Sequence, residues 1–423
     1  MKLGGATALA ALFPSIIPSR VLGADAPSKR INVGFVGVGL MGGFNLDSVL
    51  GLSDAGVYVR AVCDVDRERA LAAQRKVEAK QQETGCLVTG DFREITRHPD
   101  LDAVVVSTPD HWHALVGIDA IRHGKDVYIE KPLTLTIAEG QALVAAMKKH
   151  GRIGQTGTHQ RSGGYFHRTV ELVRNGRLGK ISGIDITIPG NNRFCPGTWR
   201  EEPVPAGFDY EMWLGPAPWA PFTAQRTHYQ FRFILDYALG QTTNWGSHYV
   251  DIAQWALGMD DSGPVSVEGY GDFPSSGLFT VPSQVYFACR YANGVEMRVR
   301  SRDEQRGDGV IRFHGERGWL EVSRRGVIAE NRALLKEKIG PEEIQIPRSR
   351  HHWRNFFECI RTRQNPIADL SIGHRTTTIC NLGMIAMQRR RLLEWDPAKE
   401  TFVNDPLANR MRGRAMRGPW SLL

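Results

Sequence analysis

The sequence has few cysteines and none of the arrangements that usually bind metal or form a disulfide framework. Its 423 residues include six cysteines and no CxxC pair. This spacing argues against a zinc ribbon and gives no support for a set of structural disulfides. Cys63 lies in an apolar strand-like run and Cys359 in a helix-like run, so we expect both to serve in packing.

Long apolar runs, internal repeats and low-complexity tracts are also missing. The apolar run near the N-terminus is interrupted by Pro14 and Pro18 and is too short for a spanning helix, so we predict no stable membrane span. The formal charge is +8, and part of the excess lies in residues 389–391 and in NRMRGRAMRG. No aromatic residues interleave with these arginines as nucleic-acid stacking requires. We therefore predict no nucleic-acid partner and a solvated basic tail over residues 396–423.

The first 29 residues differ in composition from the rest of the chain. Lys2, a short run of small apolar residues and the stretch VLGADA together have the outline of an export signal. We therefore expect residues 1–29 to be a leader and the protein to be periplasmic or otherwise exported. No paired arginines precede the apolar run, so a twin-arginine-type route requires a start codon upstream. A cytoplasmic location is the alternative.

The stretch INVGFVGVGLMGG joins a strand-like run to the glycine pattern of a dinucleotide-binding turn. Gly37 permits the tight turn, Gly39 lets a pyrophosphate approach the backbone, and Gly42 allows the helix to pack closely on the strand. Leu40 and Met41 belong to the same turn and are expected to contact the cofactor. The next strand-like run ends at Asp64, about 20 residues further on, where a carboxylate can bond ribose hydroxyls. Because a carboxylate there repels a 2′-phosphate, NAD is favoured over NADP.

Two further strand–helix units follow. LDAVVVSTPDHWHALVG predicts a strand from Ala103 to Ser107 and then a turn and a helix, and KDVYIEKPLTLTIAEG predicts a strand from Asp126 to Ile129. Thr136 to Glu139 fits a capping box at the start of the next helix. Such alternation predicts a doubly wound parallel sheet, the Rossmann arrangement, over residues 30–155, with ligands beyond the carboxyl ends of the strands. The candidate cofactor-binding residues at those ends are Thr108, Pro109, His113, Glu130 and Lys131.

Residues 156–395 lack this alternation and predict an α+β domain with a large, mostly antiparallel sheet. The runs SQVYFACRYANG and VEMRVRSR meet at Asn293-Gly294, a hairpin signal. We expect this domain to cover the cofactor and to pair with a neighbouring subunit in a homodimer or homotetramer. A stretch rich in tryptophan, asparagine and arginine suits a sugar's hydroxyls and apolar face, although the same residues could pack an interface. The candidate substrate-binding residues are Arg161, Asn191, Arg193, Trp199, Tyr229 and Arg232.

The stretch NWGSHYVDIAQWALG combines an amide, an imidazole and a carboxylate. On a continuous helix, Asn244 and His248 would share a face one turn apart. His248 can act as an acid/base, bind a metal, or simply pack. A metal needs three or four convergent ligands, and only Asp251 and the distant residues 351–352 could complete a set, so we predict no metal site. Asp251 is expected to bond to the backbone or to fix the helix rather than to react.

These motifs, in this order, resemble the Gfo/Idh/MocA oxidoreductases, the family of glucose–fructose oxidoreductase and inositol dehydrogenase. The resemblance runs from about residue 31 to residue 423. It rests on the glycine turn, STPDHWHA, EKPL, GQTGTHQRS, WLGPAPWAPF, NWGSHYVDIAQWALG and PIADLSIGHRTTTICNLGMIA, and it is closest to a branch that often carries export signals. It implies an NAD-dependent oxidoreductase that transfers a hydride between nicotinamide and a secondary hydroxyl of a sugar, cyclitol or glycoside.

The resemblance also implies roles for single residues. Lys131 would hydrogen-bond the reacting hydroxyl, Glu130 would lie near the nicotinamide ribose, and Pro132 would follow a cis peptide bond. The family's acid/base pair, an aspartate followed four residues later by a histidine, matches Asn244 and His248, so Lys131, His248 and Asn244 are the candidate catalytic residues. Asparagine can still orient the imidazole but takes up no proton, which predicts a histidine that stays neutral more readily.

Two other functions fit the same residues. A redox-neutral enzyme with tightly bound NAD would oxidise its substrate transiently, cleave or isomerise a glycoside, and release product without net NADH. A non-catalytic homologue would bind nucleotide and sugar without turnover, and the loss of the aspartate at Asn244 favours that alternative.

Overall fold

The first domain is built around a parallel sheet. The computed structural model describes residues 30–191, 197–303 and 307–422. Within them the first sheet has the order β3-β2-β1-β4-β5-β6 with parallel neighbours throughout, which confirms the predicted doubly wound fold. Its strands are β1 Ile31–Val36, β2 Val57–Cys63, β3 Leu87–Thr89, β4 Ala103–Val106, β5 Asp126–Ile129 and β6 Gly154–Thr156, and its helices are α1 Leu40–Leu50, α2 Arg67–Gln81, α3 Phe92–Thr96, α4 Asp110–Arg122 and α5 Ile137–His150.

The middle strands of this sheet are covered on both faces. β4 and β5, with the sequences AVVV and DVYI, are buried along their whole length, as expected for parallel strands between two layers of helices. The capping box predicted at Thr136 and Glu139 is present at the start of α5. The strand order reverses between β1 and β4, so the crevice for a ligand opens at the carboxyl ends of these two strands.

The second domain contains a larger, mostly antiparallel sheet, as predicted. In the described residues its order is β13-β12-β11-β7-β10-β9-β8-β14-β15, with β7 and β10 paired in parallel. Its strands are β7 Ile181–Ile188, β8 Ser266–Gly271, β9 Val285–Arg290, β10 Glu296–Ser301, β11 Val310–Gly315, β12 Gly318–Ser323, β13 Gly326–Ala329, β14 Leu393–Asp396 and β15 Thr401–Phe402. Asn293-Gly294 forms the predicted hairpin between β9 and β10, with Gly294 at φ +86°.

Helices of the second domain pack on one face of this sheet and against the first domain. They are α6 Gly164–Arg174, α7 Tyr210–Leu214, α8 Gln241–Asn244, α9 Gly246–Leu257, α10 His352–Thr362, α11 Leu370–Arg389 and α12 Pro406–Arg410. The longest of them, α11, joins the two cores. Its Thr377 hydroxyl accepts the amide of Leu133 at 3.1 Å. This bond fixes the loop after β5, where Lys131 lies.

Two late segments of the chain return to the first domain. The ring of Trp353 in α10 stacks on Tyr128 of β5 with 3.9 Å between centroids. Trp420 packs edge-on against Trp112 of α4 at 4.7 Å, and Arg417 pairs with Glu211 of α7, in the second domain, at 2.7 Å. Residues 396–422 are therefore folded rather than a solvated tail, because apolar and acidic partners distant in sequence bind them.

Several predictions fall on residues that the structure does not describe, namely the leader, residues 1–29, and Arg193. The described cysteines, which exclude Cys195, are all buried and unpaired. Among the helices of the described ranges, none combines the length and the apolar character that crossing a bilayer requires. No group of three histidine, cysteine, aspartate or glutamate side chains in those ranges is arranged to hold a metal ion.

Candidate functional site

A cavity of about 230 Å³ opens at the carboxyl ends of β1, β2, β4 and β5. The second domain closes it with residues from the segment 208–232, including the predicted Tyr229 and Arg232. Gly42 is the one predicted cofactor residue that does not line it. Those that do are Gly37, Gly39, Leu40, Met41, Asp64, Thr108, Pro109, His113, Glu130 and Lys131.

The glycine turn after β1 accepts only glycine at two positions. Gly37 has φ +84°, and a Cβ there would lie 2.7 Å from the carbonyl of Ser107. A Cβ on Gly42 would collide with the carbonyl oxygen of Gly37. The turn leads into α1, which has no acidic residue in its first turn, so its amide groups and positive end suit a pyrophosphate.

Asp64 lies at the end of β2, where a ribose-binding carboxylate is expected. Its two carboxylate oxygens accept the amide of Val38 at 2.9 Å and the amide of Asp66 at 3.0 Å. Burial raises the pKa of Asp64, while these two hydrogen bonds lower it. A carboxylate offers about four acceptor positions, so ribose hydroxyls can still bind. The glycine turn and Asp64 together fit a dinucleotide.

A short segment of the second domain, residues 207–209, crosses the Asp64 end of the cavity, and we call it the strap. The amide of Arg67 donates to the carbonyl of Gly207 at 3.0 Å, and the amide of Asp209 donates to the carbonyl of Val65 at 2.9 Å. Phe208, between them, lines the cavity. The two domains are thus fastened together across the part of the cavity where the adenosine of a dinucleotide would lie.

Lys131 lies in the cavity wall, directly after β5. Its peptide bond to Pro132 is cis, as the resemblance implied. Lys131 Nζ donates to the side-chain oxygen of Asn244 at 2.9 Å and to the backbone carbonyl of the same residue at 3.0 Å. Burial lowers the pKa of Lys131 to about 8; Glu130 and Asp110 raise it, and Arg232 and Arg324 lower it further. Ammonium and neutral amine forms are therefore both populated near neutral pH.

Glu130 is buried beside Lys131 and already hydrogen-bonded. It accepts the side-chain amide of Asn45 at 2.9 Å and the backbone amide of Lys131 at 3.3 Å. A Cβ on Gly157 would lie 2.9 Å from its carboxyl group, so the loop after β6 can approach Glu130 because that position is glycine. These contacts place the carboxylate between α1 and the cavity.

His113 connects the two loops that carry the other candidate residues. Its Nδ1 lies 2.8 Å from the carbonyl oxygen of Pro132 and its Nε2 lies 2.9 Å from that of Thr108. The ring therefore links the turn after β4 to the turn after β5. His113 lines the cavity, but both of its nitrogens face backbone oxygens, so its contribution is to position these turns.

Asn244 and His248 are not on one continuous helix. The helix is interrupted at Trp245, between α8 and α9. The side-chain nitrogen of Asn244 donates to Gln241 Oε1 at 2.8 Å, and its oxygen accepts from Lys131. The expectation that Asn244 orients the imidazole of His248 is therefore wrong, because the amide is already used by Gln241 and Lys131.

His248 is buried behind this lysine–asparagine contact and is only 8% exposed. Its Nδ1 has no hydrogen-bond partner among the described residues. Burial lowers the pKa of His248 well below its usual value, and the charges of Lys131 and Arg324 lower it further. The ring is therefore neutral at pH 7, because of burial and nearby cations rather than because of the asparagine from which a neutral ring was predicted. Neither His248 nor Asn244 lines the cavity.

Arg161 is not brought to the cavity. It is 1% exposed and forms ion pairs with Asp251 at 2.9 Å and with Asp260 at 2.7 Å. Asp251 was expected to bond to the backbone or to fix the helix, and its carboxylate fixes α9 by binding Arg161 and the hydroxyl of Thr376. No local pattern predicts this pairing, since its members lie about 90 residues or more apart.

Asn191 and Trp199 also lie outside the cavity lining. The Asn191 amide donates to the carbonyl of Pro282 at 3.0 Å and accepts the amide of Gln241 at 2.8 Å, so it supports the start of α8. The guanidinium of Arg226 lies 5.4 Å from the centroid of the Trp199 ring. Of the described substrate candidates, Tyr229 and Arg232 are the ones that reach the cavity.

Sequence reasoning did not single out four polar residues that line the cavity, namely Arg69, Ser107, Asp110 and His228. Asp110 is the first residue of α4 and is buried, and burial raises its pKa. Its position directly after Thr108-Pro109, at the end of a predicted strand, was the available signal. His228 has φ +54°, and its neighbour Tyr229 was identified only from the composition of the segment.

Curated relatives match this chain over roughly a third to a half of their own length. Glycosyl hydrolase family 109 protein 1 of Shewanella sp. (strain ANA-3) is 29% identical over 165 residues, which is 38% of this chain and 36% of that protein. An alpha-N-acetylgalactosaminidase of Shewanella oneidensis is 28% identical over the same shares. The uncharacterized oxidoreductase YrbE of Bacillus subtilis is 25% identical over 185 residues, 43% of this chain and 48% of that protein.

Solved structures share the fold over most of the chain. The WlbA dehydrogenase of Bordetella pertussis, in complex with NADH and UDP-GlcNAcA, aligns with a TM-score of 0.66 and 17% identity over 87% of this chain and 99% of that one. The aldose-aldose oxidoreductase of Caulobacter crescentus, complexed with glycerol, aligns with a TM-score of 0.65 and 20% identity over 86% and 99%.

Two family descriptions match successive parts of the sequence. Residues 31–158 match "Oxidoreductase family, NAD-binding Rossmann fold", and residues 192–422 match "Oxidoreductase family, C-terminal alpha/beta domain". The second match alone covers more than half of the chain. The chain therefore belongs to the Gfo/Idh/MocA oxidoreductase family and carries the family's NAD-binding Rossmann domain.

Proposed function

We propose that this protein is an NAD-dependent oxidoreductase that transfers a hydride between nicotinamide and a secondary hydroxyl of a sugar, cyclitol or glycoside. The observation that supports this most directly is the placement of Lys131. Its Nζ is bound by two oxygens of Asn244 and lies in the wall of the cavity that the glycine turn and Asp64 also line. A titratable group thus lies beside the place where a dinucleotide fits.

The chain's own residues divide the dinucleotide between them in this proposal. The glycine turn and the first amides of α1 bind the pyrophosphate, Asp64 binds the adenosine ribose, and Glu130 lies by the nicotinamide ribose. When bound, NAD takes up or returns the hydride of the carbon that bears the hydroxyl. We propose NAD rather than NADP because a 2′-phosphate would meet the carboxylate of Asp64.

The hydroxyl proton is exchanged by Lys131 in this proposal. An ammonium group has three N–H donors, and two of them bind the oxygens of Asn244. The third donates to the reacting oxygen. In the neutral amine, the two remaining N–H groups keep their bonds to Asn244, so the lone pair faces the reacting oxygen and accepts its proton. A pKa of about 8 makes both forms available.

His248, which the sequence favoured as the proton acceptor, has a supporting role in this proposal. The ring is buried and lies off the cavity lining. Because the ring is neutral, it adds no positive charge next to Lys131. It therefore does not lower the pKa of the lysine further.

The sugar lies against Tyr229 and Arg232 in this proposal. The Tyr229 ring is 44% exposed, and the guanidinium of Arg232 lies 4.7 Å from its centroid. An aromatic face beside hydrogen-bond donors suits the apolar face and the hydroxyls of a sugar.

The test is nicotinamide absorbance of the purified protein with NAD or NADP and a panel of sugars, cyclitols, glycosides and their keto forms. A substrate-dependent change in absorbance with NAD, absent from Lys131→Met, supports the proposal. No change with any compound, together with no product in the same samples, contradicts it.

A redox-neutral glycosidase is the second candidate, and the strap favours it. Two backbone hydrogen bonds fasten the domains across the Asp64 end of the cavity, which would slow the exchange of a bound dinucleotide. Relatives named glycosyl hydrolase family 109 and alpha-N-acetylgalactosaminidase add weight. Release of free sugar from an N-acetyl-α-galactosaminide, by protein that retains NAD after gel filtration and forms no net NADH, would support this candidate over the first.

A further inference from the structure

A second arginine of the larger domain, Arg324, lies next to the candidate catalytic residues. It belongs to the turn between β12 and β13, and its guanidinium lies 4.7 Å from the centroid of the Trp245 ring. In the amide orientation that satisfies both neighbours, Gln160 accepts from Arg324 Nε at 3.3 Å and donates to the carbonyl of His248 at 2.8 Å. Two contacts therefore bring Arg324 to the junction of α8 and α9.

This junction is also where Lys131 is bound. Trp245 directly follows Asn244, whose two oxygens accept from Lys131 Nζ. The positive charge of Arg324 lowers the pKa of Lys131 and of His248, as expected for groups that lie close together. Arg232, from the cavity wall, also lowers the pKa of Lys131. The lysine therefore lies among arginines from two separate segments of the second domain.

The carboxyl groups near these cations either accept hydrogen bonds from other groups or are held toward their neutral form. Glu130 accepts two hydrogen bonds from other groups, and burial raises the pKa of Asp110. Asp308 forms a loose ion pair with Arg324, 3.8 Å from its Nε, which is too far for a hydrogen bond to the guanidinium, and it accepts the backbone amide of Arg324 at 3.1 Å. It also accepts the hydroxyl of Tyr249 at 3.0 Å. The side chain of Arg324 is 45% exposed, so solvent or a ligand can reach it.

Resting on the proposed function, we propose that the substrate is an acidic sugar, a uronic acid or a glycoside of one, and that Arg324 binds its carboxylate. Arg324 does not line the cavity, so the carboxylate end of the substrate extends beyond the cavity, toward the junction of α8 and α9. The planar guanidinium donates two parallel N–H bonds that match a carboxylate. Trp245 supports the guanidinium, so less side-chain entropy is lost on binding. With a neutral sugar, the guanidinium of Arg324 would have no anion within hydrogen-bond range among the described residues, since Asp308 lies 3.8 Å from its Nε.

The test compares acidic and neutral substrates of the same sugar series on the full chain with bound NAD. Methyl glycosides of glucuronate and galacturonate are paired with those of glucose and galactose, and kcat/KM is measured from NADH and from product. The variants are R324Q and its matched control R325Q, whose arginine is exposed on the same turn. We expect wild type to prefer the acidic member by about 10-fold or more. R324Q should lower kcat/KM for that member by about 10- to 100-fold, mainly through KM. For the neutral member, R324Q should have a much smaller effect, through the higher pKa of Lys131 alone, and R325Q should leave both members unchanged.

The outcomes separate this inference from the function on which it rests. If wild type converts the neutral sugars as well as the acidic ones, or if R324Q lowers both classes equally, the inference is wrong and the proposed function stands. If neither class yields NADH or product, the proposed function fails and the inference fails with it. The preference of wild type is measured without a substitution, so it decides the matter even if R324Q does not fold.

Discussion

The Nζ atom of Lys131 lies 2.9 Å from the side-chain oxygen and 3.0 Å from the carbonyl oxygen of Asn244. One neutral residue therefore binds the lysine by both of its oxygens. The family resemblance leads one to expect an aspartate at this position. Its carboxylate would put a negative charge next to Lys131 and favour the ammonium form of the lysine. The asparagine thus alters the chemistry of Lys131 rather than that of His248.

Lys131 should matter more for turnover than His248. We expect Lys131→Met to lower kcat by about 10²- to 10⁴-fold, the usual contribution of a positioned acid/base, because methionine fills the space without a titratable group. His248→Asn should lower kcat by less than about 10-fold, since the ring lies off the cavity lining. Steady-state kinetics with the substrate found in the panel measure both. A larger loss in His248→Asn than in Lys131→Met would return the proton-transfer role to the histidine.

The pH dependence of oxidation should follow the deprotonation of Lys131. Oxidation needs the neutral amine, so kcat/KM should rise with pH through about 8. In Asn244→Asp the new carboxylate stabilises the ammonium form, and the rise should move to higher pH by about 1 to 3 pH units. Asn244→Ala is the control, because it removes the side-chain hydrogen bond to Lys131 without adding charge. An identical pH profile in Asn244→Asp and wild type would exclude Lys131 as the group that titrates.

The strap should control how fast a bound dinucleotide leaves. Gly207 has φ +81°, and a Cβ there would meet only Arg67 Cβ at 3.6 Å, so Gly207→Ala introduces backbone strain without a collision. That strain, about 1 kcal/mol, is relieved when the strap opens, and NAD should dissociate about 5-fold faster.

Gly176→Ala is the matched control for the strap. Gly176 has φ +69° and no atom within 4 Å of a Cβ, so it carries similar strain far from the cavity. Stopped-flow release of NADH measures both variants. Equal release rates in the two variants would mean that the strap does not retain the nucleotide.

The stacking of Trp353 on Tyr128 should contribute strongly to stability. Trp353 is 2% exposed and packs in the same core as β1 and β2. We expect Trp353→Ala to lower the free energy of unfolding by about 3–5 kcal/mol, measured by urea denaturation followed by circular dichroism. Trp219→Ala, at a side chain that is 64% exposed, should change it by less than about 0.5 kcal/mol. A loss in Trp353→Ala as small as that in Trp219→Ala would show that α10 adds little to the stability of the first domain.

Local patterns in the sequence were sufficient for the first domain and for one end of the site. The glycine turn, Asp64 and Lys131 each follow a predicted strand, and parallel strands bring such positions to one edge, so their meeting in one cavity could be anticipated. The ion pairs of Arg161 could not be anticipated from the sequence, because its partners are set by the packing of α9 against the segment before α6. The same holds for Asn244, whose role depends on a helix break at Trp245 that spacing alone does not reveal.

The return of α10 to the first domain has a consequence for how the chain matures. The packing partner of Tyr128, Trp353, is synthesised more than 200 residues later. At about 5–20 residues per second, the ribosome needs roughly 10–45 s to supply it. During that time the apolar face of the nucleotide-binding half is uncovered. We therefore expect this half to become protease-resistant only after release of the complete chain, and to need chaperone protection while it is nascent.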